Sequence, residues 1–293
     1  MSIPIYRERF IMNGVLVINK EKDYTSRDVV NKLNKILNTK RIGHTGTLDP
    51  LATGVLVICI NRYTKLVNLL TALNKEYIAT MKFGYETDTL DVTGKTIKEC
   101  DYIPDLNEVK SVLNSFLGKS MQEVPLYSAK KVRGKKLYDY ARSNEFVELP
   151  KQEIEIYQIE VLSYLDGILK FKVNVKKGTY IRSLIRDIAH KLNTCAVMVD
   201  LERTKQGNFS ISDSYTLDDV EKGKYTLKNL QDIFSFPRID LADKELKIAK
   251  NGGNLRKKVK DGYVILYYKG KELAIFNAKD NILKPYIMID NNI

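Results

Sequence analysis

The sequence predicts an α+β body followed by a small, basic, β-rich tail. Three observations lead there. Short apolar runs rich in Val and Ile alternate with segments whose apolar residues recur at helical spacing. With 293 residues, the chain accommodates two unequal domains at about 100–200 residues per domain. Charge is unevenly spread: the net charge is +12, and residues 244–293 carry eleven Lys and Arg against five Asp and Glu, which is half the excess.

Taken in order, Gly14–Lys20 (GVLVINK) reads as a short buried strand. Thr25-Ser26 supplies a helix N-cap, after which Val29, Val30, Leu33, Ile36 and Leu37 recur at helical spacing. A loop, Arg41–Gly54, leads to a second apolar strand at Val55–Ile60, and Tyr77–Phe83 alternates as a strand. Gly84–Gly94 is polar and turn-rich, and Leu106–Leu117 has a helical pattern. Residues 118–150 are basic and Tyr-rich with little periodicity. Ile154–Leu162 and Ile168–Val175 pair as a hairpin through Asp166-Gly167, and Ile181–Leu192 is a helix. A boundary near Phe236-Pro237 divides the chain into domains 1–236 and 237–293. Beyond it, Tyr263–Tyr268, Glu272–Asn277 and Tyr286–Ile289 read as short strands.

Composition excludes several classes. At 44% hydrophobic and 29% charged, the chain buries a core. No apolar run approaches the roughly 20 residues of a membrane span, and Met1–Phe10, with Arg7, Glu8 and Arg9, lacks a signal-peptide core. Cys59, Cys100 and Cys195 lie far apart without a CxxC pair, and only His44 and His190 accompany them, so no metal site is expected. A soluble protein of a reducing compartment is the working class. There is no GxxxxGK[ST] loop, no GxGxxG and no GxSxG elbow. Positive charge of this size suits a polyanion or a basic proteome equally.

The most unusual stretch is RIGHTGTLDPLATG, Arg41–Gly54. Glycines and a proline shape a loop between a helix and an apolar strand, with one carboxylate, Asp49, in its middle. Functional loops on rigid scaffolds have this character, and so does an ordinary turn in which an aspartate caps a backbone amide.

Gly14–Leu66, read as GVLVINK…TSRDVV…RIGHTGTLDPLATGVLVI…TK, resembles the opening segment of the bacterial tRNA pseudouridine synthase B (TruB) family. Further blocks follow in the family's order: Lys75-Glu76-Tyr77, the Thr87–Gly94 loop TDTLDVTG, Val124–Tyr138, and Lys177–Leu184, KGTYIRSL. The tail is similar to the small RNA-binding β-barrel called PUA. The resemblance implies a pseudouridine-synthase fold with a mixed, largely antiparallel sheet, flanking helices and a C-terminal PUA-like barrel. It implies isomerisation of a uridine in the T-arm loop of tRNA (tRNA position 55), without a cofactor.

Residue by residue, the resemblance makes Asp49 the catalytic carboxylate. Arg182 becomes its cationic partner through a planar two-pronged contact, and Tyr77 the residue that stacks on the extruded uracil. Tyr180 and Leu201 join the pocket, His44 stacks on or displaces a nearby base, and Asp91, or Asp88 in its place, supports Arg182 or Tyr180. Lys20 joins the RNA-contacting set. Lys130, Lys131, Arg133, Lys135 and Lys136, interleaved with Tyr127, Tyr138 and Tyr140, belong to an RNA-clasping insertion at about 118–150. Arg256, Lys257, Lys258 and Lys260 would meet backbone phosphate farther along the tRNA. Removing 238–293 is then expected to weaken binding while sparing chemistry. A cytoplasmic monomer with no obligatory protein partner is expected; a guide-RNA-dependent subunit and a non-catalytic tRNA-binding chaperone are the alternatives. Departures from the family pattern are Glu21 and Asp23 in the opening turn, a single Pro125, Glu202 in place of a usual arginine, and Asn144 and Lys151 near the insertion's end. None removes an expected catalytic group.

Overall fold

The computed structural model describes residues 12–290; the reading of Met1–Phe10 lies outside them. The strands are β1 (Gly14–Lys20), β2 (Ile42–His44), β3 (Thr53–Ile60), β4 (Lys75–Phe83), β5 (Tyr85–Thr87), β6 (Thr96–Glu99), β7 (Gly118–Glu123), β8 (Lys131–Val132), β9 (Lys135–Lys136), β10 (Lys151–Leu165), β11 (Ile168–Val175), β12 (Ala196–Gln206), β13 (Phe209–Ser210), β14 (Arg238–Asp240), β15 (Leu255–Arg256), β16 (Gly262–Tyr268), β17 (Lys271–Lys279) and β18 (Ile282–Met288). A mixed sheet runs β1-β3-β12-β4-β11-β10-β7, with β2 added to β3 and β13 to β12. All of its pairs are antiparallel except β3 with β12.

Three helices cover one face. They are α1 (Ser26–Ile36), α2 (Leu106–Asn114) and α3 (Ile181–Lys191), which bury Val29, Val30 and Leu33, then Val109 and Leu113, then Leu184, Ile185 and Ile188. Thr25 caps α1 as expected, and its hydroxyl and the Asp28 carboxylate each accept from the other residue's backbone N–H. The hairpin between β10 and β11 turns at Asp166-Gly167 with φ of 48° and 71°, the paired left-handed conformation of a tight two-residue turn.

The opposite face carries the tail. Val15, Val17, Val55, Val57 and Cys59 pack with Ile265, Tyr267, Ile275 and Ile289 in one buried cluster. That is why GVLVINK and VLVICI are apolar throughout and do not alternate: both faces of β1 and β3 are covered. The tail itself is a curled sheet in the order β14-β16-β17-β18-β15, closed over Val264, Leu266, Phe276 and Leu283. Arg62 with Asp290 and Tyr63 with Glu272 join it to the main sheet.

Several expectations need correction. The Arg41–Gly54 loop contains strand β2, and residues 118–123 are the edge strand β7 of the main sheet. The 118–150 segment also holds the β8–β9 hairpin and a short helix, Leu137–Arg142. The long central strand β12 was not anticipated. Cys59 is a buried thiol, but Cys100 and Cys195 form a disulfide with Cα atoms 5.7 Å apart, which departs from the reducing-compartment reading. They meet because the β5–β6 hairpin lies against the start of β12, where Gly84 N–H donates to the Cys195 carbonyl.

Candidate active site

The loop bearing Asp49 is fastened at several points. The first residue of α1 fixes it: Leu48 N–H donates to Ser26 Oγ at 2.9 Å, and Ser26 Oγ donates back to Leu48 O at 3.3 Å. Lys20 Nζ donates to Pro50 O at 3.2 Å and also to Glu21 O and Tyr24 O. Lys20 is fully buried, so the expectation that it contacts RNA is corrected: it ties the loop to the end of β1. Burial, opposed first by Asp49, lowers its proton affinity to a pKa of about 8. At the far side, Gly54 crosses β12 so closely that a Cβ there would lie 2.4 Å from Arg203 O, at a φ of +96° open chiefly to glycine.

Asp49 is about one-third exposed, and its Oδ2 accepts from Arg182 Nε at 2.8 Å. Arg182 is buried at the start of α3. Its other nitrogens are taken elsewhere: Nη1 donates to Thr89 O at 2.8 Å and Nη2 to Tyr127 O at 3.0 Å. The expected two-pronged contact with Asp49 is therefore a single one, and the fork spans three segments of the chain. Asp91 Oδ2 lies 3.9 Å from Arg182 Nε, while Asp91 Oδ1 accepts from Thr89 Oγ1 at 2.8 Å and from Thr93 N–H at 3.0 Å. Asp91 thus faces Arg182, whereas Asp88 caps its own hairpin by accepting from Lys95 N–H and accepts from the Tyr127 hydroxyl at 3.3 Å.

Asp49, Arg182, Tyr77, Tyr180 and Leu201 line one cavity of about 380 Å³. The Tyr180 backbone is held by Gln122, whose amide donates to Tyr180 O at 3.0 Å and accepts from Tyr180 N–H at 2.9 Å. Burial raises the Tyr180 phenol's pKa, keeping it protonated. Of the basic set, Lys130 reaches the cavity wall. Lys131 and Arg133 are exposed on the β8–β9 hairpin. Lys135 and Lys136 are engaged locally, Lys135 with Glu145 at 2.6 Å and Lys136 with the Tyr138 hydroxyl at 2.7 Å. His44 sits half-buried in β2 outside the cavity wall, with its Nδ1 buried and without a hydrogen-bond partner. Burial first, then Arg203 and Arg27, lower its pKa and hold the ring neutral. Among the described residues no cluster of His, Cys, Asp and Glu could hold a metal ion.

Residues that sequence reasoning missed are Gln122, Thr89, Lys75 and Arg203. Lys75 and Arg203 line the same cavity. Lys75 lay inside the Lys75-Glu76-Tyr77 block, and the available signal for both was a charged residue at an inward position of a strand.

The same architecture occurs in solved structures. One is an H/ACA RNP bound to a substrate RNA containing 2′-deoxyuridine, with TM-score 0.71 and 23% identity, covering 95% of this chain and 86% of that one. Another is the archaeal box H/ACA sRNP Nop10-Cbf5 complex, with TM-score 0.68 and 24% identity, covering 96% and 88%. The chain has the pseudouridine-synthase fold with a PUA-like C-terminal sheet. Its sequence narrows this further. Residues 34–181 match the TruB family pseudouridylate synthase N-terminal domain, and residues 182–236 match the tRNA pseudouridylate synthase B C-terminal domain. The tRNA pseudouridine synthase B of Clostridium tetani is 42% identical over 93% of this chain and 94% of its own length. That of Caldicellulosiruptor saccharolyticus is 46% identical over 75% and 76%, and that of Fusobacterium nucleatum 40% over 94% and 99%. The chain belongs to the TruB family of pseudouridylate synthases.

Proposed function

We propose that this chain isomerises uridine to pseudouridine in the T-arm loop of tRNA, at tRNA position 55, with Asp49 as the catalytic carboxylate. The observation that carries the reading is the single contact from Arg182 to Asp49 Oδ2 at the wall of a base-sized cavity, which leaves Oδ1 for the substrate.

The reaction breaks the C1′–N1 bond, turns the uracil and joins C1′ to C5; the proton lost from C5 is balanced by one gained at N1. Nothing is oxidised or transferred between molecules. A carboxylate beside the sugar stabilises C1′ as it becomes electron-poor, or bonds to the nucleotide covalently. Arg182 aims Asp49, its Nε donating to Oδ2 at 2.8 Å so that the carboxylate is held in one orientation at the cavity wall. The uracil enters by extrusion from the folded loop. Tyr77 stacks on it and accepts the C5 proton, and Tyr180 and Leu201 complete the walls.

The domain division follows this reading. Residues 1–236 form the catalytic domain and 237–293 an RNA-binding domain, with the exposed Lys131 and Arg133 of the hairpin clasping the T arm. The chain works as a monomer without a guide RNA or protein partner. The non-catalytic alternative is disfavoured by the Asp49–Arg182 contact, which a pure binder does not need. Purified protein incubated with an unmodified tRNA transcript alone, followed by carbodiimide mapping of pseudouridine, tests this. One new stop in the T-loop is expected. No stop, or one that needs an added guide RNA or protein, overturns it.

A further inference from the structure

In the lining of the active cavity, two cations are buried without a carboxylate partner among the described residues. Lys75 is 6% exposed; its Nζ donates to Thr71 O at 2.6 Å and to Leu73 O at 2.7 Å. Arg203 is 1% exposed; its Nε donates to Val55 O at 2.6 Å and its Nη2 to Gly46 O at 3.1 Å. Both line the cavity, with Lys177 beside them. Among the described residues, neither Lys75 nor Arg203 is paired with a carboxylate. Carbonyl dipoles solvate a cation but do not neutralise it, and a buried charge lacking a counter-ion is costly to the fold. Two such charges in one wall repel each other as well.

Gly46 lines the same cavity beside both cations: a Cβ added to it would make ordinary contact with Arg203 Nη1 at 3.4 Å and with Lys75 Cε and Gln206 Oε1 at 3.9 Å. Burial first, then Arg203 and Lys177, push the Lys75 ammonium down to a pKa of about 8, and no carboxylate acts on it. A flexible ammonium beside a rigid guanidinium suits the oxygens of a phosphodiester.

We infer that Lys75 and Arg203 form an anion subsite in the active cavity that binds a backbone phosphodiester flanking the extruded uridine. The inference rests on the proposed RNA substrate and deepens it: Asp49 and Arg182 act on the base and sugar, while Lys75 and Arg203 hold the backbone. Arg203 also grips the two margins of the Asp49 loop, through Gly46 O and Val55 O, so a phosphate bound there is coupled mechanically to the carboxylate's position.

The test uses T-arm hairpins carrying one neutral methylphosphonate linkage on the 5′ or the 3′ side of the target uridine, with kcat/KM measured for each. For the wild-type protein, one of the two linkages should cost about tenfold or more, the worth of a charge-assisted contact. Lys75→Met should lose a similar factor on the natural hairpin and nothing further on that methylphosphonate hairpin. Lys75→Arg, which keeps the charge, should restore the dependence, and matched melting temperatures of the three proteins exclude unfolding as the cause. Equal losses in wild type and Lys75→Met, or no loss with either linkage in the wild type, would overturn the subsite while leaving the reaction intact. A wild-type protein inert towards the natural hairpin would instead overturn the parent reading, and the subsite with it.

Discussion

Arg182 shows how a single side chain organises the site. Its guanidinium is divided between Asp49, the Thr89 carbonyl and the Tyr127 carbonyl, so it joins the catalytic loop to two other segments. A lysine offers one rotatable ammonium and cannot serve three directions. Arg182→Lys should therefore lower kcat by about a hundredfold or more, with hairpin affinity changing little; wild-type turnover in that variant contradicts the pairing. Lys20 provides a test that chemistry does not touch. Its pKa is lowered from 10.5 to about 8 in the folded protein. Between those values the unfolded chain binds more protons, so this position adds stability as pH rises through the window, and the full cost of burying the charge is present below it. Charged neighbours Asp49, Asp23, Arg203 and Asp28 are part of that balance. Urea unfolding across the window should show the stability of wild type relative to Lys20→Met growing by about 3 kcal/mol; a constant difference contradicts a depressed pKa. At this scale the sequence was legible wherever a residue sat in an unusual motif. Asp49, Arg182, Tyr77, Tyr180 and Leu201, all within those motifs or singled out beside them, line one cavity. His44 and Lys20 do not reach its wall, because strand pairing turns one into β2 and backbone carbonyls hold the other inside.

Among the elements, the parallel contact of β3 with β12 sets the depth of the Asp49 loop. Gly54 is the point of closest approach, and any side chain there meets the Arg203 backbone while adopting a left-handed φ. Gly54→Ala should destabilise the protein by roughly 3 kcal/mol and depress turnover with it; an unchanged melting temperature would show that the two strands can part freely. β12 is also the longest element that sequence reasoning missed. Its inward positions include Arg203 and Gln206, both buried, and charged or amide residues at those places erase the alternation that marks a strand. By contrast, β1, β3, α1, α3 and the β10–β11 hairpin carried their signals locally, in apolar runs, a capping box and an Asp-Gly turn. The cysteines illustrate the opposite case: Cys100 and Cys195 are brought together by tertiary packing across a separation of 95 residues, which no spacing rule reveals.

At the level of the whole molecule, the tail is part of the core. Ile265, Tyr267, Ile275 and Ile289 cover the outer face of β1 and β3, and the Glu272 carboxylate accepts from the Tyr63 hydroxyl and from Leu230 N–H. Deleting 238–293 would expose that apolar face, so the truncated protein should aggregate or melt well below the full chain instead of acting as a soluble enzyme with weakened binding. A soluble truncation with the full chain's melting temperature contradicts this. The positive charge that first suggested a polyanion is consequently distributed over one continuous body: the β8–β9 hairpin, the cavity floor at Lys75 and Arg203, and the tail. Charge can hold RNA in many ways, but the isomerisation rests on one carboxylate. The most direct measurement is single-turnover release of tritium from a tRNA transcript tritiated at C5 of uridine, comparing wild type with Asp49→Asn. The account predicts release from the T-loop uridine by the wild type and none by the variant, with the two proteins binding the transcript about equally. Release by Asp49→Asn at a rate near that of the wild type would contradict it.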